Sequence, residues 1–330
     1  MAERENSTSV RTSAALVPTR WDVVVFRTLD TYEREALLYS EPPITDRVNI
    51  APDIFIERLD GGVARKISEG CSAGAIPSQS AQRYSFVRVF RSGQDPNRFD
   101  EDQRLQIAIA LSRLIRPTSI GLEESAQISG PMNDATTLVV TPGPITGPAS
   151  EAYVADRSRA DWLTPADGAA LRDLLDAYHA EGVPERVARG LWHHENAARA
   201  LDMAARWTAV VTGLEALFNT DAQWVTRQFK HRCARAADEL GIELTVKQAD
   251  EAYRLRSRLA HGAITGVAAE TLELYVAVER LLREILRRGV ENPDWRTRFL
   301  NDVTVRDAWP IETPTECPVC RQPLLQGSDE

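Results

Sequence analysis

The chain has 330 residues, 43% of them hydrophobic and 26% charged, with a formal charge of −9. That length accommodates two domains with a core each, and the acidic balance excludes a protein that coats nucleic acid non-specifically while leaving room for a local basic site. No apolar run approaches a membrane span, and the polar start Met1–Asn6 lacks a signal-peptide core, so a cytoplasmic protein without a membrane partner is expected.

Residues 1–20 are polar and rich in Ser and Thr, and are expected to be disordered. From 21 to 148 the chain reads as a mixed, strand-rich α/β domain. Trp21–Phe26, Ile54–Ile56, Tyr84–Phe90 and Thr137–Val140 have strand character, with clean alternation at Tyr84–Phe90. Asp100 is placed as the cap of a helix that runs to Arg116 and stops before Pro117. Thr141–Pro148 is the densest cluster of breakers and marks a boundary. This half shows no Gly-rich phosphate loop, nucleophile elbow or paired-carboxylate motif, so its role is open.

From 149 to 303 the pattern is helical, so the fold class expected is α+β, a strand-rich domain followed by an all-α bundle. Thr164 as N-cap and Pro165 at the first helical position start a helix that reaches about Ala180. Pro184 opens a second, through Leu191 and Trp192 to Arg199. A third spans Leu201–Phe218, with Trp207, Val210, Val211, Leu214 and Leu217 as its apolar stripe. A fourth runs from about Gln223 to Leu240, before Gly241. A fifth starts around Thr245. A sixth runs from about Val267 to Arg288, with Leu272, Val276, Glu279 and Leu282 separating its faces and Gly289 after it. Residues 304–330 read as a polar tail carrying a Cys-x-x-Cys pair.

The fifth helix ends in Tyr253-Arg-Leu-Arg-Ser-Arg-Leu-Ala-His-Gly262. At 100° per residue, Val246, Ala249, Ala252, Tyr253, Leu259 and Ala260 share an apolar arc, and Arg256 falls near its middle. A guanidinium there needs a carboxylate, a phosphate or another subunit. Gly262 suits the left-handed residue that ends a helix. The segment Tyr-x-x-Arg-Ser-x-x-x-His-Gly resembles the signature of the HEPN superfamily, in its ApeA-like branch, and Gly213-Leu-Glu-Ala-Leu-Phe218 looks like the first core helix of that branch. The resemblance covers about residues 200–290. Ser257 stands where many catalytic members of the superfamily carry Asn, Asp or His.

The resemblance implies a HEPN-like bundle that pairs with a second copy, both motifs lining one cleft, and that cleaves RNA without a catalytic metal. In that chemistry His261 moves the proton of a ribose 2′-hydroxyl. Arg256 holds the phosphate and steadies the charge that builds on it, and Ser257 contacts the phosphate or orients His261. Antiviral defence or a toxin-like role is the setting expected. The alternative is a non-catalytic dimerisation module, or one that binds RNA or a nucleotide. On that alternative Arg256 pairs with a buried carboxylate, Glu215 on a neighbouring helix, and His261 only caps its helix.

Other residues admit two readings each. Arg227 and Lys230 are one turn apart, as are Arg232 and Arg235. Arg227, Lys230 and Tyr253 are candidate RNA contacts, and the basic helix is otherwise a solvated face. Trp224 and Phe229 either stack bases or fill core. Nothing points to DNA. The four cysteines, Cys71, Cys233, Cys317 and Cys320, do not form a disulfide framework. Cys317 and Cys320 have half the spacing of a zinc knuckle, completed by the same pair of a second protomer or by His193 and His194, or else they are free thiols. Adjacent helical histidines point about 100° apart, so both reaching one ion is awkward. His179 and His231 read as lone histidines without a ligand role.

Overall fold

The computed structural model describes residues 20–27, 48–51, 54–58, 83–90, 98–116, 124–129, 137–142, 165–200, 202–263 and 271–311. The expected boundary at Thr141–Pro148 falls largely outside these residues, as do the Thr164 cap, Cys71, Cys317 and Cys320. The strands are β1 Arg20–Arg27, β2 Val48–Ala51, β3 Ile54–Arg58, β4 Arg83–Phe90, β5 Glu124–Ser129 and β6 Thr137–Pro142. They pair antiparallel in the order β2-β3-β4-β1-β5-β6, with Val23 opposite Val87 on one side and Ala126 on the other.

The described residues are mostly helical, and the helices form a bundle. In chain order they are α1 Arg98–Ile115, α2 Pro165–Glu181, α3 Glu185–Arg199, α4 Met203–Phe218, α5 Val225–Glu239, α6 Val246–Ala260, α7 Leu272–Glu291, α8 Pro293–Thr297 and α9 Asp302–Ala308. None of them is long and apolar enough to cross a membrane. Helix α1 begins at Arg98, so Asp100 lies within its first turn rather than capping it. An aspartate is favoured there too, against the exposed amides of the helix start, which is why residue type alone misplaced the cap.

Helix α4 is central because its apolar side chains recur at helical spacing. Trp207, Val210, Val211, Leu214 and Leu217 are all buried. Asp202 starts the helix by accepting from the Ala205 amide at 2.8 Å. Helix α7 closes the core with Tyr275, Val278, Leu281, Leu282, Ile285 and Leu286. Two glycines let neighbours approach. A Cβ on Gly190 of α3 would lie 2.7 Å from Leu286 Cδ2, and one on Gly213 of α4 would lie 2.9 Å from Leu282 Cδ2 and 3.2 Å from His193 Cβ.

Helix α1 and strand β2 join this core, since Ile50, Ile109, Leu111 and Leu114 are buried in the same cluster. Ion pairs reinforce the join. Buried Arg113 donates to Glu195 at 2.6 Å, and Arg116 donates to Asp167 at 2.7 Å. Burial pushes the Glu195 carboxyl up, but Arg113 and Arg199 together bring it below its ordinary value. At the other end, the expected tail does not begin at 304. Helix α9 runs to Ala308, and Val305 and Trp309 are buried. Trp309 packs on Phe218, Phe299 and Trp295, and its indole donates to Glu239 at 2.9 Å. A short helix between polar residues has too little periodic signal to reveal such an anchor.

Candidate functional site at the end of the motif helix

Helix α6 is specified at both ends. Thr245 and Gln248 form a reciprocal capping box at its start. At its end Gly262 has φ +67, its amide donates to the Leu259 carbonyl at 3.1 Å, and the Ala263 amide donates to the Arg258 carbonyl at 2.9 Å. Those two bonds with a left-handed glycine make a Schellman turn. His261 is the C-cap; its backbone serves the turn and the residue is exposed. The imidazole therefore has no part in ending the helix. The apolar arc is covered only in part: Ala249 and Ala252 are buried, Leu259 is half-buried and Ala260 is exposed.

Arg256 points from α6 towards α4. Its Nη2 lies 2.8 Å from Glu215 Oε2, with the two side chains 25% and 15% exposed. Its Nε is buried and has no hydrogen-bond partner. Tyr253, one turn earlier, donates its hydroxyl to Glu215 and accepts from the Thr226 hydroxyl of α5. Burial raises the Glu215 pKa, and the Arg256 charge and the Tyr253 bond oppose that rise without cancelling it. Burial also raises the Tyr253 pKa, with the Glu215 charge adding to it. Cys233 of α5 is fully buried nearby, its thiol pushed well above the ordinary value by burial and by Glu215.

His193 of α3 completes the cluster. It is half-buried, and burial followed by the Arg256 charge lowers its pKa below the ordinary 6.5. A neutral imidazole and a fixed guanidinium thus share one end of the bundle. In the sequence His193 stands out only as a candidate zinc ligand. Its signal was the Trp192-His193-His194 run, whose adjacent members diverge as helix geometry requires. His194 turns the other way, to Glu279 of α7, with Nε2 3.0 Å from Oε1. Glu279 also pairs with Arg283, and all three are buried. So Glu279 does not separate an apolar from a polar face.

The remaining candidates are dispersed. Ser257 is half-buried, and its carbonyl accepts from the His261 amide at 3.0 Å. The Lys230 ammonium is 3.3 Å from Asp250, which also meets Arg254. Arg232 is 1% exposed, with its guanidinium bonded to the carbonyls of Phe218 and Trp309. It is core rather than solvated face, which spacing alone did not reveal. Arg235 donates to the Pro310 carbonyl. Phe229 is buried against Tyr253, whereas Trp224 is 36% exposed. Arg227 lines a separate cleft. Among the described residues no group of His, Cys, Asp and Glu is arranged to hold a metal ion. No protein-family model matches the chain, and no curated protein or solved structure shows significant similarity to it.

Proposed function

We propose that the helical bundle is a HEPN-type endoribonuclease that cleaves RNA without a metal and acts as a dimer, with the strand-rich N-terminal half as a second, recognition module. The observation that carries this reading is a partly exposed guanidinium, Arg256, held by Glu215, with the solvent-facing imidazole of His261 just past the end of the same helix. His261 takes the proton of a ribose 2′-hydroxyl. The oxygen attacks the adjacent phosphorus, the bond to the 5′-oxygen breaks, and that oxygen takes up a proton. Arg256 binds the phosphate oxygens as charge builds. The products end in a 2′,3′-cyclic phosphate and a 5′-hydroxyl.

The ion pair also favours a rival. A guanidinium already bound to Glu215 serves a scaffold that dimerises without cutting. Incubation of the full chain with single-stranded RNA in EDTA separates the two. On the nuclease reading cleavage persists in EDTA, leaves cyclic phosphate ends and is lost in His261→Ala. Cleavage that needs added Mg²⁺, or that survives His261→Ala at the wild-type rate, leaves the scaffold standing.

A further inference from the structure

Beyond Tyr253 and Thr226, the turn Asp221–Trp224 and the first turn of α5 face α9 and Pro310 across a cleft of about 670 Å³. Three arginines line it, Arg227, Arg232 and Arg306, against one carboxylate, Asp221. That carboxylate is committed, because its Oδ1 accepts from the Gln223 amide at 2.8 Å and the Gln228 side chain at 3.0 Å. Arg232 is committed as well, its guanidinium locked into the core. It still contributes a charge, which burial disfavours and to which Arg306 adds repulsion.

Arg227 and Arg306 are different. Neither forms an ion pair among the described residues. Arg306 is exposed, and the Nε of Arg227 is buried with no hydrogen-bond partner. A buried donor left unsatisfied is destabilising unless a ligand meets it. At the rim, Trp224 adopts φ 56 and ψ 28, a left-handed backbone unusual for a bulky residue, and its side chain makes no capping bond. Trp224 lines this cationic cleft and is 36% exposed rather than packed into the core. Two uncommitted guanidiniums suit a phosphate, and a partly exposed indole suits a flat π-system. An acidic peptide would satisfy the charges and leave the indole without a partner.

We propose that this cleft binds a nucleoside phosphate, with the base on Trp224 and the phosphate on Arg227 and Arg306. The nucleotide is either free or one unit of an RNA strand. The inference goes beyond the cleavage reading and stands without it, since binding is measured whether or not the protein cuts.

Calorimetric titration of the full chain tests this, using AMP, adenosine, inorganic phosphate and a single-stranded 2′-O-methyl RNA, whose blocked hydroxyl prevents cleavage. The expected result is binding of AMP, the oligonucleotide or both, with adenosine and phosphate each weaker than the tighter ligand by about tenfold or more. Equal affinity for AMP and the oligonucleotide assigns a free nucleotide, and tighter binding of the oligonucleotide assigns a strand. Arg306→Glu and Trp224→Gly should each weaken binding by about tenfold or more, and glycine suits the left-handed backbone, so the second variant keeps the turn. Arg254→Gln, which removes an exposed charge on α6, should leave affinity within about twofold. Absence of AMP and oligonucleotide binding at millimolar concentration overturns the proposal. So does unchanged affinity in either cleft variant, or adenosine or phosphate alone binding as tightly. Absence of RNA cleavage would count against the nuclease reading and leave these binding results intact.

Discussion

The half-buried imidazole of His193 on α3 feels the charge of Arg256 on α6: burial first, and that guanidinium second, hold its pKa below 6.5. The two residues come from helices that each pack against α4, with Gly213 of α4 permitting a close approach to the His193 Cβ. Arg256 is thereby linked on one side to a carboxylate that prefers its proton more than usual and on the other to an imidazole that prefers it less.

One consequence is a titration. Arg256→Gln removes a nearby cation, so the His193 pKa should rise towards the ordinary value. It should stop short of it, because burial remains. Proton NMR of the histidine ring signals reads this directly. A depressed histidine contributes stability that is present above 6.5 and lost as pH falls through its folded pKa. His193→Gln should flatten denaturant-unfolding midpoints over that interval. An Arg256→Gln variant with an unmoved His193 signal contradicts the coupling.

The helix end separates chemistry from folding. His261→Ala should change stability by less than about 0.5 kcal/mol, because the residue is exposed and its backbone alone serves the turn. Gly262→Ala should cost about 1 kcal/mol or more, since φ is +67 there. Comparison of urea midpoints at equal m-value checks the pair. Equal losses from the two changes would mean that the imidazole holds the turn.

Glu279 should be the most costly single carboxylate to remove from α7. Burial pushes its pKa up, but Arg283 and His194 more than offset this and leave it lowered. Glu279→Ala takes the nearer of two carboxylates from buried Arg283, which keeps Glu284 at 3.7 Å, and should destabilise by about 3 kcal/mol. A lowered carboxylate contributes stability above its unfolded pKa, near 4.5, that is lost as pH falls through the folded value. Glu279→Gln should therefore lose stability less steeply than the wild type below about pH 4.5. Identical acid limbs in circular dichroism would contradict this.

The proposed dimer should sediment as such at about 10 µM, as expected for an interface that completes a shared site. Arg256→Ala should weaken it and abolish cleavage together, whereas His261→Ala should abolish cleavage alone. A wild-type monomer at that concentration argues against two motifs lining one cleft.

Local signals in the sequence determined the long helices α2 to α7 and both ends of α6. The spacing of Trp207, Val210, Leu214 and Leu217 marks the buried face of α4, because 3.6-residue periodicity is written in the chain itself. Thr245 with Gln248, and Gly262 after His261, mark the two ends of α6 through bonds that span only a few residues. The arc around Arg256 showed that the guanidinium needs a partner. Tertiary structure alone decided how each polar group on those faces is used. Period does not say which helix an apolar face meets, and a long arginine or glutamate side chain reaches either core or solvent from the same backbone position. That is why Arg232 and Glu279 are buried, Trp309 is a core residue and Lys230 is occupied by Asp250. The neighbourhood of His193 and Arg256 likewise depends on how α3, α4 and α6 pack.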